Sequence, residues 1–236
     1  MTSSAEDSVE REAIYVVVPA YNEAAMVGSV VLALRQRYVH VVVVDDGSSD
    51  DTAGVATRAG AITLRHSINR GQGAALQTGL RYSLQCGAHC IVTFDADGQH
   101  DHRDVEALTR PILTGQVDVA LGSRFVESGS AEGLPWPRLL LLKAAVMFTR
   151  VVSRARVTDA HNGLRAFSRR AAERINLTVD RMGHASEIID QVSDSGLPYM
   201  EVPVHIRYTE YSRLKGQTEL GAVSVLAGYL LGRLRR

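Results

Sequence analysis

Cysteine is scarce: Cys86 and Cys90 are the only two in 236 residues. A C-x-x-x-C pair without further thiols supplies neither a structural zinc site nor a disulfide scaffold, and both side chains are expected as reduced core thiols. Net charge is missing too. With 26 Lys and Arg against 26 Asp and Glu, and a pI of about 7.1, no global field draws the chain to nucleic acid or to an anionic membrane. No nucleic-acid partner is expected, and any charged partner must be met locally. No apolar run approaches the roughly 20 residues needed to cross a bilayer. The nearest, 139–152 and 221–231, contain Lys143 and Arg150 or are too short. The opening MTSSAEDSVERE lacks the basic start and apolar stretch of a secretory signal, which predicts a disordered arm over 1–12 and a cytoplasmic protein. Internal repeats and low-complexity segments are also absent.

What the chain does have is a regular alternation of apolar runs and amphipathic stretches. Its length, with 45% hydrophobic and 22% charged residues, suits one large α/β domain plus appendages, since single cores keep growing to about 250 residues. Residues 14–18 and 39–44 are compact β-branched runs of the kind buried on both faces of a parallel sheet. Between them, 24–36 carries Val27, Val30, Val31 and Leu34 on one stripe, giving a β-α-β unit with a right-handed crossover. The pattern repeats with a helix after Thr52, a strand at 61–65, a helix at 73–85, a strand at 90–94, a helix after Arg103 and a strand at 117–121. Alternation of this kind predicts a doubly wound, mostly parallel α/β sheet that binds ligands at the carboxyl ends of its strands. Beyond Gly122 the rhythm changes. The loop ESGSAEGLPWPR precedes an apolar helix near 139–153, and the polar stretch TDAHNGLRAF follows. A last strand at 199–204 leads through basic RYTEYSRLKG into a terminal helix with Leu220, Val223, Ala227, Leu230 and Leu234 on one face.

Polar residues gather at the strand ends. Pro19-Ala20-Tyr21-Asn22-Glu23 closes the first strand and Asp45-Asp46-Gly47-Ser48-Ser49-Asp50 the second. Carboxylates there can accept hydrogen bonds from a base or ribose, and Tyr21 can lie against a base face; the Asp/Gly/Ser cluster equally fits a turn and helix cap. The strongest local signal is Phe94-Asp95-Ala96-Asp97-Gly98-Gln99-His100, two carboxylates flanking one small residue after a buried strand. Two such anions repel each other. A hard divalent cation removes that cost, and magnesium or manganese takes one or two protein carboxylates and leaves its other positions to water and substrate phosphates. His100 and His102 read as surface-turn residues. Gly71, in Asn69-Arg70-Gly71-Gln72-Gly73, opens a helix and is a candidate for anion contact or close packing. Its G-x-G is no dinucleotide fingerprint, because Leu76 stands at the third glycine position and the motif follows the third strand. Arg124 and Arg138 are candidate phosphate contacts through bidentate hydrogen bonds. Arg207, Arg213 and Lys215 form a second cationic group beside the terminal helix.

In this order PAYNE, VVVDDGSSD, NRGQGAALQTG, FDADGQH, LGSRF, TDAHNGLRAF and EVPVHIRYTEYSRLKG resemble the family-two glycosyltransferases, in particular the branch of dolichyl-phosphate mannose and polyprenyl-phosphate sugar synthases. The resemblance runs over residues 14–235. It implies a GT-A-type fold, a catalytic domain over 13–210, and a Mg2+- or Mn2+-dependent transfer with inversion at the sugar carbon. The implied donor is a nucleotide sugar of GDP-mannose or UDP-glucose type. By position, Pro19, Tyr21, Glu23 and Asp46 match the nucleoside pocket, with Ala20, Asp45, Gly71, Asp95 and Ala96 as further donor contacts. Asp95, Asp97 and Gln99 match the metal-binding turn. Arg124 and Arg138 match basic residues near the diphosphate and acceptor phosphate, and Arg207 and Lys215 fall in the acceptor-side segment. Two departures stand out: Gln72 replaces a lysine frequent in relatives, and the membrane-spanning helices that many bacterial relatives append are lacking. The implied membrane contact passes to 139–152 and to the basic segment and amphipathic helix at 211–236, or to a membrane-protein partner or a second copy of the chain.

The implied chemistry stabilises charge on the departing nucleoside diphosphate while an acceptor oxygen attacks the anomeric carbon from the opposite face. A hydroxyl acceptor needs a general base, whereas a lipid phosphate is already anionic. The chain lacks the E-D and Q-x-x-R-W motifs of polysaccharide-synthesising relatives. Asp97, Arg124 and Arg138 are the implied catalytic group, joined by Glu187 if a base is needed; Glu187 otherwise faces solvent on the helix that follows it. The expected reaction is therefore sugar transfer to a polyprenyl or dolichyl phosphate. Transfer to a hydroxyl of a soluble sugar or natural product is one alternative, and a non-catalytic nucleotide-sugar-binding subunit another, which the intact Asp95 and Asp97 oppose.

Overall fold

Valine and isoleucine runs build the strands. In the computed structural model, which describes residues 13–126, 157–159, 162–178 and 183–207, Ile14–Ala20 forms β1, His40–Asp45 β2, Ile62–Arg65 β3, Cys90–Thr93 β4 and Val119–Ser123 β5. The helices between them are α1 (Val27–Arg35), α2 (Thr52–Arg58), α3 (Gln72–Gln85) and α4 (Asp104–Leu113). Each lies where the apolar periodicity puts it, with ends displaced by a few residues. β6 (Arg165–Ser168), α5 (Arg169–Arg174) and α6 (His184–Ser195) follow, and β7 (Tyr199–Pro203) completes the set. β6 lies inside the stretch that reads as polar: a short strand that begins with arginine shows no alternation to recognise.

The seven strands make one sheet in the order β3-β2-β1-β4-β6-β5-β7. All neighbouring pairs are parallel except those of β6, which runs antiparallel to both β4 and β5. Alternation along the strands then sorts the core into two layers. Val16, Val18, Val41, Val43 and Val92 face Val27, Val31 and Leu34 of α1, Ala56 of α2 and Val105 and Leu108 of α4. Tyr15, Val17, Val42, Val44 and Ile91 face Leu76 and Leu80 of α3, Ala171 of α5 and Ile188, Ile189 and Val192 of α6. Each fully buried aliphatic side chain contributes about 1.5–3 kcal/mol of transfer free energy, which secures both helix layers to the sheet. Gly79 brings α3 close: a Cβ there would lie 2.2 Å from Val17 Cγ1.

Strand order reverses at β1. The chain first adds β2 and β3 on one side and then returns to place β4 on the other. This is the switch point at which an open α/β sheet leaves a crevice outside its carboxyl ends, and the loops after β1 and β4 are PAYNE and FDADGQH. Of the two cysteines only Cys90 is a core thiol; Cys86, at the end of α3, is exposed, because the pair straddles the turn from helix to strand. Residues 1–12, 139–153 and the terminal helix lie outside the described residues. Among the described residues no helix is long and apolar enough to cross a membrane.

Candidate donor and metal site

β1 and β2 end side by side, with Ala20 opposite Asp45, and side chains lace their loops together. Asn22 N–H donates to Ser48 Oγ at 2.9 Å, Ser49 N–H to Asn22 Oδ1 at 2.9 Å, and Glu23 N–H to Thr52 Oγ1 at 2.9 Å. Asn22 holds φ of 53°, a left-handed conformation that asparagine tolerates because its short amide bonds locally. Pro19 and Ala20 belong to buried β1, whereas Tyr21 stands at the rim, 44% exposed. Asp45 is fully buried; its Oδ1 accepts from Ser48 N–H at 3.0 Å and its Oδ2 lies 3.2 Å from Arg65 Nε.

Asp46 is occupied within the protein. Its Oδ1 pairs with His66 Nδ1 at 2.7 Å and accepts from Arg70 N–H at 3.0 Å, and its Oδ2 accepts from Gly71 N–H at 2.6 Å. His66 Nε2 is 2.9 Å from Thr78 Oγ1, so the tautomer that donates to Asp46 can accept from threonine. The side chain is thus no local helix cap but a long-range tie, fixing the loop ahead of α3 to the end of β2. Gly71 sits at φ 97°, a region side chains avoid, so its amide can reach the carboxylate while the chain turns into the helix.

The Asp95–Asp97 turn lies beside this loop. Asp95 Oδ1 accepts from Gln72 Nε2 at 3.2 Å, so the glutamine that replaces lysine hydrogen-bonds the first carboxylate of the turn. Asp95 Oδ2 is 2.9 Å from His100 Nε2. His100 is no surface-turn residue: its side chain is buried, edge-on to the Phe94 ring. Burial works against charge on Asp95, but the His100 hydrogen bond and the charges of His100, His184 and Arg165 outweigh it and hold the carboxyl below the usual range. Asp97 goes the other way. Burial, then the charge of Asp95, pushes it up, and the Gln99 backbone hydrogen bond only partly offsets them. Gln99 donates to Asp97 twice, N–H to Oδ1 at 3.0 Å and Nε2 to Oδ2 at 2.8 Å. A divalent cation would relieve this strained pair, so the donor set fits a hard metal ion.

Arg124 follows β5 and is held as a fork. Its Nε donates to Asp159 Oδ2 and its Nη2 to Oδ1, both at 2.7 Å. Asp159 is buried; that burial raises its carboxyl, but the bonds and charge of Arg124 win and keep it below the usual range. Glu201 on β7 steadies the same segment, its Oε1 accepting from Thr158 N–H at 2.7 Å and Asp159 N–H at 3.1 Å. Arg165, the first residue of β6, is only 3% exposed. Burial pulls its guanidinium down to about 10 against the opposing pull of Asp95 and Asp159.

Glu187 does not face solvent. It is 3% exposed within α6, and its carboxylate accepts from Thr178 N–H at 3.1 Å and Thr178 Oγ1 at 2.6 Å. The segment after β7 crosses the Asp95–Asp97 turn as a strap: Arg207 N–H donates to Gln99 O at 2.9 Å, His205 N–H to Asp104 Oδ2 at 2.6 Å, and Arg207 Nη2 to Asp101 Oδ2 at 3.1 Å. Arg103 shares Asp101, its Nη2 at 2.6 Å. Arg138, Arg213 and Lys215 lie outside the described residues. The structure therefore brings Ala20, Tyr21, Glu23, Asp46, Gly71, Asp95, Ala96, Asp97 and Gln99 to one sheet edge, and adds Gln72, His100, Asp159 and Arg165, to which the sequence reading gave no role in the site. An arginine between Leu164 and Ala166-Phe167 was the available signal, a charge set among core residues.

Residues 15–175 match the family described as Glycosyl transferase family 2. The chain belongs to that family and is a glycosyltransferase. An uncharacterised protein of Methanocaldococcus jannaschii is 37% identical over 231 residues, covering 97% of this chain and 95% of the relative. The UDP-N-acetylglucosamine–dolichyl-phosphate N-acetylglucosaminyltransferase of Methanococcus voltae is 32% identical, covering 86% and 89%. The polyprenol monophosphomannose synthase of Mycolicibacterium smegmatis is also 32% identical, covering 94% and 88%. Among solved structures, glucosyl-3-phosphoglycerate synthase from Mycobacterium tuberculosis, crystallised with Mn2+, UDP and glucosyl-3-phosphoglycerate, shares the fold. Its TM-score is 0.67 at 24% identity, over 97% of this chain and 83% of that one. The sheet and its flanking helices are thus the GT-A-type arrangement.

Proposed function

We propose that this glycosyltransferase moves a hexose or related sugar from a nucleoside-diphosphate donor to a polyprenyl phosphate. The observation that carries the reading is the Asp95–Asp97 turn at the switch-point crevice, two carboxyls one residue apart, the first held low by His100 against its burial and the second pushed up by burial and then by the charge of Asp95. Two relatives at 32% identity are named for dolichyl-phosphate and polyprenol acceptors, and the structural neighbour was crystallised with Mn2+ and UDP. Asp97 and Asp95 would hold Mg2+ or Mn2+, with Gln99 fixing Asp97. Among the described residues no three His, Cys, Asp or Glu form a metal cage, so further ligands would come from water and donor phosphates. The ion would supply positive charge to the departing diphosphate.

The protein's own groups account for the rest. Tyr21, Glu23 and the Asp45–Ser48 loop frame the nucleoside, and Arg124, its Nε–Nη2 edge fixed by Asp159, would bring a preorganised positive charge to the departing diphosphate. The acceptor phosphate oxygen forms the new bond to the anomeric carbon as the bond from that carbon to the diphosphate oxygen breaks, with inversion. No proton has to leave the attacking oxygen. That agrees with Glu187, whose carboxylate is engaged by Thr178. Arg138, Arg207 and Lys215 belong to the acceptor side of this proposal. Glu187→Gln tests the choice of acceptor. Retained transfer to polyprenyl phosphate supports the reading, whereas abolished turnover with intact donor binding assigns Glu187 as a base and points to a hydroxyl acceptor.

A further inference from the structure

Burying a guanidinium costs several kcal/mol unless its charge is used, and Arg165 is buried at the start of β6. The reason lies in what it adjoins. Arg165 stands opposite Thr93 in the antiparallel pairing of β6 with β4, the strand that ends just before Asp95. The residues ahead of it press on Asp95 itself. Thr93 Oγ1 donates to the Gly163 carbonyl at 2.6 Å, and a Cβ on Gly163 would lie 2.2 Å from Asp95 Oδ2 and 2.5 Å from Oδ1. On its other side β6 pairs with β5, which leads to Arg124 and its fork on Asp159.

We propose that Arg165 is a positioning residue for the metal turn: its buried charge, together with the close fit at Gly163, holds the Asp95 carboxylate in register for the nucleotide and its metal. The inference rests on the donor reading above and deepens it. Two carboxylates separated by one residue repel each other and would splay before a cation arrives. Gln72 and His100 fix the two oxygens of Asp95 by hydrogen bonds, while the charge of Arg165, paired across the sheet with Thr93, favours the Asp95 anion. The turn is then preorganised, so donor binding need not assemble it.

The test is calorimetric titration of the wild-type protein and Arg165→Gln, Arg165→Lys and Gly163→Ala with UDP and with GDP, each with and without Mn2+, beside an unfolding curve for each. The wild type should bind one nucleotide more tightly with Mn2+. Arg165→Gln should lose about 10- to 100-fold of the Mn2+-supported affinity, the usual cost of removing a group that orients a metal ligand, with its Mn2+-free affinity unchanged. Arg165→Lys should recover most of the loss, and Gly163→Ala should lose the Mn2+ gain by displacing Asp95. An unaltered Mn2+ gain in Arg165→Gln overturns the inference. So does a parallel fall with and without Mn2+ that tracks a lowered unfolding midpoint, the mark of a purely structural role. If Arg165→Gln does not fold, Gly163→Ala decides, and an intact Mn2+ gain there overturns the inference. A wild type that binds neither nucleotide overturns the donor reading, and this inference with it.

Discussion

Asp46 shows how a residue at a ligand edge can serve the scaffold first. Its carboxylate takes two backbone N–H groups and the His66 ring, so Asp46→Asn sets an N–H2 group against donors. We expect a loss of about 1–3 kcal/mol, the cost of an unsatisfied buried group, read as a lower urea midpoint. Unchanged stability with collapsed nucleotide affinity would instead make Asp46 a direct ligand contact. The sequence allowed both readings, because Asp-Gly-Ser turns and nucleotide loops use the same residues. The placement of the two D-x-D carboxylates at a strand end was legible since they lie within three consecutive residues after a buried apolar run. Arg165 and Asp159 acquire meaning only when β6 is threaded between β4 and β5, a pairing that local spacing does not encode.

Elements that bury a whole stripe were the ones the sequence revealed. α1 follows from its stripe of Val27, Val30, Val31 and Leu34, whereas short β6 and α5 depend on neighbours for their formation. Gly79→Ala tests the packing of α3 on β1: the added methyl meets Val17 at 2.2 Å, and overpacking should cost about 1–3 kcal/mol in chemical denaturation. The strap over the Asp95–Asp97 turn carries a pH dependence. The Asp104 hydrogen bond, then its charge, raises His205 above its ordinary value. A raised histidine stabilises fully below its unfolded value of about 6.5 and loses that contribution as pH rises through the folded value. Beyond the intrinsic rate change, amide exchange at Arg207 should therefore be faster at alkaline than at mildly acidic pH. His205→Ala should abolish the difference; if the difference persists, the histidine does not govern the strap.

At the scale of the whole molecule the lowered carboxyls set the acid limit. Asp101 is held down first by its Arg103 hydrogen bond, Asp159 by Arg124 against its burial, and Asp95 by His100 against its burial. A depressed carboxyl contributes stability that is present above its unfolded value of about 3.9 and is lost as pH falls through the folded one. Unfolding midpoints should thus drop steeply below about pH 4, with Asp97, raised in the fold, opposing the trend. Arg124→Met should flatten the acid limb, and an unchanged slope would remove Asp159 from the account. The doubly wound sheet was readable as a whole because its alternation repeats, and the crevice follows from the strand order. Metal-dependent transfer from a nucleotide sugar to a polyprenyl phosphate is tested by label transfer with the purified protein. Guanosine- and uridine-diphosphate sugars would each be offered with Mn2+ and a short polyprenyl phosphate, beside Asp97→Ala. The account predicts Mn2+-dependent label in the lipid fraction from one donor, lost in Asp97→Ala; donor cleavage without lipid labelling, or labelling that survives Asp97→Ala and chelation, would contradict it.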